Sequence, residues 1–396
     1  MIAGSVGHPH LLANYRRAPV TFVRGEGCEL IGDAGVRYLD FTAGIAACAL
    51  GHAHPAIATA IAEQAHRLVH CSNLYHHEPA GTLASELARR SGFGRVFFCN
   101  SGTEANEAAI KLARKHAFRR DDERRTILAC RGSFHGRTLG ALAATDNPRY
   151  HEGFEPLPAG FAFVPFNDID ALDRAIDDTI AAFIVEPVQG ESGVHPAERA
   201  FLEAARRFCN ERGALLVFDE IQCGMGRLGT TFAFETYGVR PDVVTLAKAL
   251  ANGLPIGALL IDERFADALQ PGDHGTTFGG SPVPCAAALA HLRVRDELRL
   301  DDHVREAAAT LAAGLRDIAG AFPDVVAQPR GMGLMLGLPV LAPFSAAAIA
   351  DAARDNEHLL ITTAGDNTLR FVPPLVVTAE EISEALRRLR AALHAR

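Results

Sequence analysis

Short apolar runs and amphipathic segments alternate from about residue 83 to residue 260, and this alternation limits the possible folds more than any other feature of the sequence. The apolar runs have the length of strands and the amphipathic segments have the length of helices. Such a rhythm is typical of strand–helix–strand crossovers, which build a mostly parallel sheet covered by helices on both faces. The pattern predicts strands at 95–99, 126–130, 182–185, 214–218 and 242–247 and helices at 103–120 and 197–212.

The two ends of the chain carry more mixed patterns. Residues 20–40 alternate turns with short apolar stretches and predict a small antiparallel element. Towards the C-terminus helical patterns dominate, with short strands near 331–338 and 369–372. Thr378 and Glu381 form a capping box that marks the start of the last helix. Its apolar residues recur on one helical face: Ile382, Leu386, Leu389 and Leu393.

The length of the chain, 396 residues, exceeds what one simple core needs, so two or three domains are expected. We predict a large α/β domain at 46–285 and a small α+β domain that combines 1–45 with 286–396. No internal repeat, low-complexity tract or long linker interrupts this division.

Charge and hydropathy exclude two classes of partner. The net charge of −8, the pI of about 6.1 and the lack of a basic tract argue against a nucleic-acid partner. The longest apolar runs fall well below the roughly 18 residues that a membrane helix needs. The first ten residues lack the charged and apolar regions of a signal peptide.

The spacings of cysteine and histidine residues argue against a disulfide framework and a metal site. The eight cysteines are scattered and include no Cys-x-x-Cys pair, which fits a reduced cytoplasm better than a disulfide framework. The pairs His52/His54 and His76/His77 have no companion at metal-ligand spacing, so we predict no metal site.

Only three lysines occur among the 39 lysine and arginine residues. Lys111 and Lys115 stand one helical turn apart and are predicted to be solvated helix-surface charges. Lys248 instead ends the apolar run 243–247, where a buried strand should stop. A primary amine can form an imine, which arginine cannot do. The alternative is a strand-end lysine whose stem lies along apolar surface.

Two other predicted strand ends carry polar residues. Ser101, Gly102 and Thr103 form a small turn between a strand and a helix, where backbone N–H groups and the helix dipole suit a phosphate; ordinary N-capping is the alternative. Asp219 ends a strongly apolar strand and needs a cationic partner if it is buried. A protonated pyridine nitrogen would serve, with an ion pair worth about 4–5 kcal/mol before desolvation at an effective dielectric constant of about 20. A purely structural carboxylate is the alternative.

Ligands of open α/β sheets bind beyond the carboxyl ends of the strands. A phosphate cradle, a buried aspartate and a strand-end lysine together match the phosphate, ring nitrogen and aldehyde of pyridoxal phosphate. A competing signal, the G-x-G-x-x-G dinucleotide pattern at 224–229, is followed by an aromatic, β-rich segment at 230–238. We therefore predict no nicotinamide site there.

Seven ordered motifs support the same interpretation. The chain resembles the class III (subgroup II) aminotransferases of fold type I, and among them the N-acetylornithine aminotransferases most closely, over about residues 15–389. The matching motifs are 100–107 (Asn-Ser-Gly-Thr-Glu-Ala-Asn-Glu), 133–137 (Ser-Phe-His-Gly-Arg), 185–191 (Val-Glu-Pro-Val-Gln-Gly-Glu), 218–227 (Phe-Asp-Glu-Ile-Gln-Cys-Gly-Met-Gly-Arg), 247–250 (Ala-Lys-Ala-Leu), 274–280 (His-Gly-Thr-Thr-Phe-Gly-Gly) and 370–374 (Arg-Phe-Val-Pro-Pro).

The resemblance implies a seven-stranded, mostly parallel sheet flanked by helices and a cofactor site for pyridoxal 5'-phosphate. Lys248 and Asp219 are the implied catalytic residues: Lys248 holds the cofactor covalently and later moves a proton, while Asp219 pairs with the pyridinium. The other implied cofactor contacts are Gln222 at the ring hydroxyl, Phe134 on the ring face, Gly102 and Thr103 at the phosphate, and Thr277 from the neighbouring subunit of a homodimer.

The resemblance also implies the substrate contacts. Arg370 binds the α-carboxylate of glutamate or 2-oxoglutarate, and Arg137 binds the carboxylate of an acylated diamine. Glu191 acts as a switch that pairs with Arg370 when the diamine is bound, and Thr276 is a further implied substrate contact. For an arbitrary arginine, surface solvation would be the alternative.

The implied reaction moves the δ-amino group of N2-acetylornithine to 2-oxoglutarate, in arginine biosynthesis. Ile45 stands where ornithine δ-aminotransferases carry a tyrosine, and isoleucine suits an apolar acyl neighbour. Succinylornithine, succinyldiaminopimelate, ornithine and 4-aminobutyrate remain alternative substrates. An aminomutase or decarboxylase of the same fold type, or a non-catalytic cofactor-binding protein, would differ in releasing no glutamate.

Overall fold

The computed structural model describes residues 10–365 and 367–394. The prediction that no signal peptide is present concerns the first ten residues, of which 1–9 lie outside the described residues. The strands are β1 Phe22–Glu26, β2 Glu29–Gly32, β3 Arg37–Asp40, β4 Arg95–Cys99, β5 Thr126–Cys130, β6 Phe161–Val164, β7 Ile180–Val185, β8 Val188–Gln189, β9 His195–Pro196, β10 Leu215–Asp219, β11 Val243–Leu246, β12 Gly257–Ile261, β13 Arg330–Met332, β14 Met335–Pro339, β15 Leu359–Leu360, β16 Thr362–Ala364 and β17 Thr368–Phe371.

The helices surround these strands, together with two 3₁₀ turns at Lys248–Ala251 and Glu263–Ala268. They are α1 Ala43–Ala46, α2 Pro55–Arg67, α3 Glu78–Ser91, α4 Gly102–Arg119, α5 Leu139–Ala143, α6 Pro148–His151, α7 Ile169–Ala175, α8 Arg199–Arg212, α9 Ala233–Tyr237, α10 Pro282–Glu297, α11 Leu300–Ala321, α12 Ala346–Glu357 and α13 Ala379–His394.

The largest sheet has seven strands in the order β4-β12-β11-β10-β7-β5-β6. β12 runs antiparallel to both of its neighbours, and the other pairings are parallel. The predicted α/β class with a mostly parallel, helix-flanked sheet is therefore confirmed. All five predicted strands form in it, while the sequence pattern missed β6 and β12.

The central strands are apolar along their whole length because both faces of the sheet are covered. β7 and β10 are buried at every residue. Alternate side chains point to opposite faces: Leu215 and Val217 pack with α4, whereas Leu216 and Phe218 join the larger core on the other side.

The chain ends combine in two smaller sheets. β1, β2 and β3 are antiparallel, and β15 pairs in parallel with β3. β13, β14, β17 and β16 form a second four-stranded sheet. The capping box before α13 is confirmed, since the Thr378 N–H donates to the Glu381 carboxylate at 2.8 Å and the Glu381 N–H donates to Thr378 Oγ1 at 3.2 Å. The domain boundaries at 45 and 285 stay a prediction, and residue 285 lies within α10.

The turn α1 has an unusual backbone, with φ between +46° and +64° at all four of its residues, three of which are not glycine. Such conformations persist only where the surroundings enforce them. Asp40 supplies part of that enforcement, because its Oδ1 accepts hydrogen bonds from the Thr42 and Ala43 N–H groups and its Oδ2 lies 2.8 Å from His52 Nε2. This turn places Ile45 and Ala47 beside the two cavities described below.

Candidate active site

A cavity of about 380 Å³ opens beyond the carboxyl ends of β7, β10 and β11. The strand order brings the polar residues after these strands to one edge of the sheet, as expected for a ligand site in an α/β fold. Eight of the predicted site residues line this cavity: Gly102, Thr103, Phe134, Arg137, Glu191, Asp219, Gln222 and Lys248.

Lys248 is the first residue of the 3₁₀ turn that follows β11, with a φ of +41° that side-chain-bearing residues rarely adopt. Burial lowers the pKa of its amine, and the nearby charge of Glu191 offsets this shift only in part. The amine is therefore more readily neutral than an ordinary lysine, which is the form that attacks a carbonyl.

Asp219 lies at the end of β10 and is 3% exposed. Its Oδ2 accepts a hydrogen bond from Asn106 Nδ2 at 2.7 Å and lies 2.8 Å from His135 Nδ1, while its Oδ1 accepts the Ile221 N–H at 3.1 Å. Within the part of the chain that the structure describes, no lysine or arginine pairs with this carboxylate. It therefore retains lone pairs for a cationic ring nitrogen.

The turn before α4 has the features of a phosphate cradle. Ser101 caps the helix, because its Oγ accepts the Glu104 N–H at 3.3 Å, so the capping role holds beside the predicted phosphate role. A Cβ at Gly102 would lie 2.7 Å from Ile221 Cδ1, so a larger residue here would require the Ile221 side chain to move. Thr103 Oγ1 accepts the Arg137 N–H at 3.2 Å. The first-turn N–H groups of an α-helix have no intrahelical acceptor and are available to an anion.

Glu186 is a cavity residue to which the sequence analysis gave no role. Glu186 directly follows β7, and Asp219 is the last residue of β10. This shared strand-end position could have identified Glu186 from the sequence. Its Oε2 accepts the Phe134 N–H at 3.0 Å. Burial raises the pKa of Glu186 well above its usual value, and the Asp219 charge raises it further. The Glu186 carboxyl thus supports the backbone of Phe134, whose ring lines the cavity.

Arg370 lies on β17 in an adjoining cavity that also contains Glu191 and Ile45. It is 2% exposed, and its Nη1 contacts Glu191 Oε1 at 2.5 Å and Gln222 Oε1 at 3.3 Å. Burial alone would raise the pKa of Glu191, but the charges of Arg370 and Lys248 outweigh burial and lower it. The ion pair between Arg370 and Glu191 is therefore formed at neutral pH.

Arg137 presents a different environment at the other side of the site. Its side chain is exposed, and its Cζ lies 3.5 Å from the ring centre of Tyr150 and 5.5 Å from that of Phe134. Over residues 10–365 and 367–394, no carboxylate forms an ion pair with it. Its guanidinium is therefore available to a carboxylate of the substrate.

Two predicted site residues lie outside the cavity of their own chain. Thr276 Oγ1 accepts hydrogen bonds from Asn100 Nδ2 at 3.1 Å and from the Gly279 N–H at 3.2 Å, so it supports a cavity residue without lining the cavity. Thr277 is exposed and sits beside a small crevice on the surface.

A buried arginine connects the site to the C-terminal sheet. Arg227 is 1% exposed and donates hydrogen bonds to the carbonyl oxygens of Leu334 at 3.1 Å and Pro373 at 2.5 Å. Burial lowers its pKa to about 9. No carboxylate pairs with it among the described residues. Because Pro373 closely follows β17, this contact ties the Arg370 segment to the turn after β10.

Lys111 is exposed on the surface of α4 as predicted, whereas Lys115 is partly buried and ion-paired, so the prediction of a solvated charge is wrong for Lys115. Lys115 Nζ lies 2.7 Å from Asp273 Oδ1, and Lys111 Nζ lies 2.8 Å from His274 Nδ1. Both lysines therefore hold the segment that precedes Thr276 against α4. Their partners are more than 150 residues away along the chain, which sequence spacing does not reveal.

The glycine-rich run 224–229 forms turns, and α9 begins only at Ala233. The expectation of a β-rich segment at 230–238 is thus wrong, because the segment forms no strand and contains α9, although no helix starts at the glycines. His54 and His77 act as N-caps of α2 and α3. In the described ranges, no group of three or more metal-ligating side chains converges, and no helix has the length and apolarity to cross a membrane.

Comparisons with known proteins agree with this geometry. The family described as Aminotransferase class-III matches residues 12–393. The chain belongs to the class-III aminotransferases. It is therefore a transaminase that depends on pyridoxal 5'-phosphate.

Several relatives of this class-III aminotransferase cover almost its whole length. A Xylella fastidiosa protein named acetylornithine aminotransferase is 51% identical, over 97% of this chain and 95% of its own. The crystal structure of N-acetylornithine aminotransferase from Stenotrophomonas maltophilia is 41% identical, with a TM-score of 0.83 and coverage of 96% and 97%. That of an ornithine aminotransferase from Toxoplasma gondii is 32% identical, with a TM-score of 0.93 and coverage of 98% and 93%.

The residues present in the cavity fit the cofactor of the class. Gly102 lines the cavity at the start of α4, where the first-turn N–H groups suit a phosphate, and Asp219 has lone pairs for the ring nitrogen. Within 10–365 and 367–394, the Lys248 amine has no hydrogen-bond partner and is available to the aldehyde. The fit supports the assignment of these residues to the cofactor, which stays a prediction.

Proposed function

We propose that this aminotransferase moves the δ-amino group of N2-acetylornithine to 2-oxoglutarate, giving N-acetylglutamate 5-semialdehyde and glutamate. The names of relatives at 41–51% identity support this substrate. The observation that carries the proposal is the contrast between two guanidinium groups, since Arg137 is free and Arg370 is paired with Glu191. We infer that the reaction serves arginine biosynthesis.

That contrast suits a site that must accept two different substrates in turn. Acetylornithine reacts through an amine far from its carboxylate, so it needs a cation at a distance and no free cation beside the reacting carbon. Arg137 supplies the first, and Glu191 neutralises Arg370 to meet the second condition. 2-Oxoglutarate then displaces Glu191 from Arg370 with its α-carboxylate, as a bidentate arginine–carboxylate contact allows. Ile45 offers an apolar surface to the acyl group.

The remaining residues act on the cofactor and on protons. When bound, pyridoxal phosphate withdraws electrons from the substrate carbon and stores the amino group between the half-reactions. Lys248 takes the proton from that carbon, because the lowered pKa of its amine favours the neutral base. Asp219 keeps the ring nitrogen protonated, and Gln222 hydrogen-bonds the ring hydroxyl. Phe134 covers one ring face, while Gly102 and Thr103 bind the phosphate.

An absorbance titration of the holoenzyme tests the substrate. N-acetylornithine, succinylornithine, succinyldiaminopimelate, ornithine and 4-aminobutyrate are added separately, without keto acid. We expect N-acetylornithine to discharge the yellow absorbance at the lowest concentration and 2-oxoglutarate to restore it with release of glutamate. A lower effective concentration for any other amine would replace the substrate but keep the reaction class. A variant Lys248→Ala that turned over at a comparable rate without added amine would contradict the role of Lys248.

We also propose that the enzyme is a homodimer in which Thr277 of one subunit binds the cofactor phosphate of the other. Exposed apolar side chains near Thr277 support this arrangement, since Phe278 is 63% exposed and Leu74 is 85% exposed. Asn73 connects the two segments, because its Nδ2 donates hydrogen bonds to the Thr276 and Gly279 carbonyl oxygens. A cluster of this kind is typical of an interface.

Mixed dimers distinguish a shared site from a separate one. We expect Lys248→Ala and Thr277→Tyr to be inactive alone, because the tyrosine blocks the phosphate position. After unfolding and refolding together, a mixed dimer would contain one site with both native residues and would recover activity. No recovery, with sedimentation showing that mixed dimers formed, would place both residues in one subunit's site.

A cytoplasmic location, which the eight free cysteines support, is part of the same proposal.

A further inference from the structure

Tyr150 contacts residues that line the cavity, and the proposed function gives it no role. It belongs to α6, and its ring stacks against the Arg137 guanidinium with 3.5 Å between Cζ and the ring centre. The same ring meets Phe134 edge-on, at 6.2 Å between centres and an interplanar angle of 86°. Tyr150 thus contacts both the residue assigned to the substrate carboxylate and the residue assigned to the cofactor ring.

The position of Tyr150 is fixed by its neighbours. His151 Nε2 lies 3.0 Å from the Leu142 carbonyl oxygen and 2.7 Å from that of Thr145, which pins α6 to the end of α5. Asn147 caps the start of α6, because its side chain accepts the Arg149 N–H at 3.2 Å. A ring held in this way can limit the rotamers of an otherwise mobile side chain.

The backbone of Arg137 is fixed as well, by the hydrogen bond from its N–H to Thr103 Oγ1. The remaining freedom of Arg137 lies in its long side chain, which is exposed. An aromatic face attracts a guanidinium without neutralising it and leaves its N–H groups free in the plane. A carboxylate at the place of Tyr150 would hold Arg137 too, but it would compete with the substrate.

We propose that Tyr150 is a positioning residue that holds Arg137 ready for the carboxylate of the amine donor and so determines selectivity for carboxylated donors. The proposal rests on the proposed function for the identity of that donor. The aromatic ring, rather than the phenol hydroxyl, is the group that acts.

The test compares the first half-reaction of the holoenzyme with two donors, N-acetylornithine and N-acetylputrescine. The second keeps the acetamide and the reacting amine but lacks the carboxylate. We expect Tyr150→Leu to lower the second-order rate constant for N-acetylornithine by about 10- to 100-fold, as loss of orientation typically does, and to change that for N-acetylputrescine less than about threefold. Tyr150→Phe should stay within about threefold of the wild type with both donors.

Two controls separate positioning from a general structural effect. Phe265→Leu removes a similar contact far from the cavity, since Arg264 Cζ lies 5.1 Å from that ring, and should change neither donor's rate constant. In Arg137→Gln, adding Tyr150→Leu should cause no further loss with N-acetylornithine, because the two residues act as one unit. If Tyr150→Leu does not fold, Tyr150→Met makes the same comparison.

Equal losses with both donors, or no loss with either, would overturn the proposal, as would full additivity with Arg137→Gln. The wild type's choice among donors decides the proposed function separately. If the wild type prefers another carboxylated amine, that amine and its decarboxylated analogue replace the pair in the same test.

Discussion

On one side of the site Arg370 is buried against the Glu191 carboxylate, whereas on the other side Arg137 is exposed against the ring of Tyr150. Leaving a buried guanidinium without a counter-ion costs free energy, so Glu191 stabilises Arg370 whenever no substrate carboxylate pairs with it. An exposed guanidinium pays no such penalty and needs only orientation. Under the proposed function, this difference makes Arg370 switchable and keeps Arg137 permanently available.

The strongest test of this comparison removes each of the two positive charges in turn. We expect Arg370→Gln to slow the half-reaction with 2-oxoglutarate by about 100- to 1,000-fold, because it removes one partner of a buried charge-assisted contact. The half-reaction with N-acetylornithine should slow much less. Arg137→Gln should show the largest loss with N-acetylornithine and little change with N-acetylputrescine. Single-turnover absorbance measures all four rates. Equal losses with donor and acceptor in Arg370→Gln, or with the two donors in Arg137→Gln, would contradict the division of roles.

Removing the charge of Glu191 should have smaller effects, and these should be opposite for the two substrates. In Glu191→Gln, Arg370 stays cationic without its partner, so we expect 2-oxoglutarate to bind about 3- to 10-fold more tightly and N-acetylornithine to react about 10-fold more slowly. Steady-state kinetics should then show stronger inhibition by excess keto acid. Glu191→Asp serves as the control, because it keeps the charge; a similar gain in keto-acid affinity there would argue against neutralisation as the mechanism.

A substitution of Arg227 tests whether the position of Arg370 depends on the buried hydrogen bonds that hold its segment. Arg227→Met replaces a buried cation that donates to the Leu334 and Pro373 carbonyl oxygens with an apolar side chain. We expect a loss of roughly 1–3 kcal/mol in the free energy of unfolding, because the two carbonyl groups lose their donor. The remaining folded enzyme should show a raised KM for 2-oxoglutarate and an unchanged rate constant with N-acetylornithine. Equal effects on both substrates would show that Arg227 stabilises the whole fold and not that side of the site.

The smallest expected effect is the pH dependence of the Glu191–Arg370 pair. The pKa of Glu191 is lower in the folded state than in the unfolded state, so the pair's contribution is complete above the ordinary carboxyl pKa and is lost as pH falls through the folded-state value. Glu191 is partly exposed, so we expect wild type to exceed Glu191→Gln by only about 1 kcal/mol at pH 7. Denaturant titrations at pH 7 and at a pH below the ordinary carboxyl pKa of about 4.3 measure the difference, which should shrink at the lower pH. A difference that grew on acidification would reverse the sign of this argument.

The sequence predicted the framework of the site well because strand ends converge by topology. Asp219 and Lys248 each follow an apolar run, and parallel strands bring their carboxyl ends to one edge whatever the details of packing. An apolar run of four or five residues has no distinctive period, so strands of this length are found unevenly: β6 and β12 were missed, while β4 and β11 were predicted. The turn between β11 and β12 is too short for a crossover, which explains why β12 is antiparallel.

Contacts between distant segments were less predictable. The stacking of Tyr150 on Arg137 depends on how α6 packs against the loop after β5. The spacing of residues along the chain does not reveal this packing. The same limit explains the error at Lys115, whose partner Asp273 comes from a segment far along the chain. Glu186 was within reach of the strand-end argument, since it occupies the position after β7 that Asp219 occupies in β10.

The scarcity of lysine has a practical consequence for handling the enzyme. Among described side chains, an amine-acylating reagent finds only Lys111 and Lys115 outside the cofactor cavity, one helical turn apart on α4. Lys111 lies about 13 Å along the helix axis from Gly102, so a tether there stands clear of the cavity mouth. Coupling to a solid support through the side-chain amines should therefore attach the enzyme by this face of α4, and under the proposed function the cofactor protects the amine of Lys248.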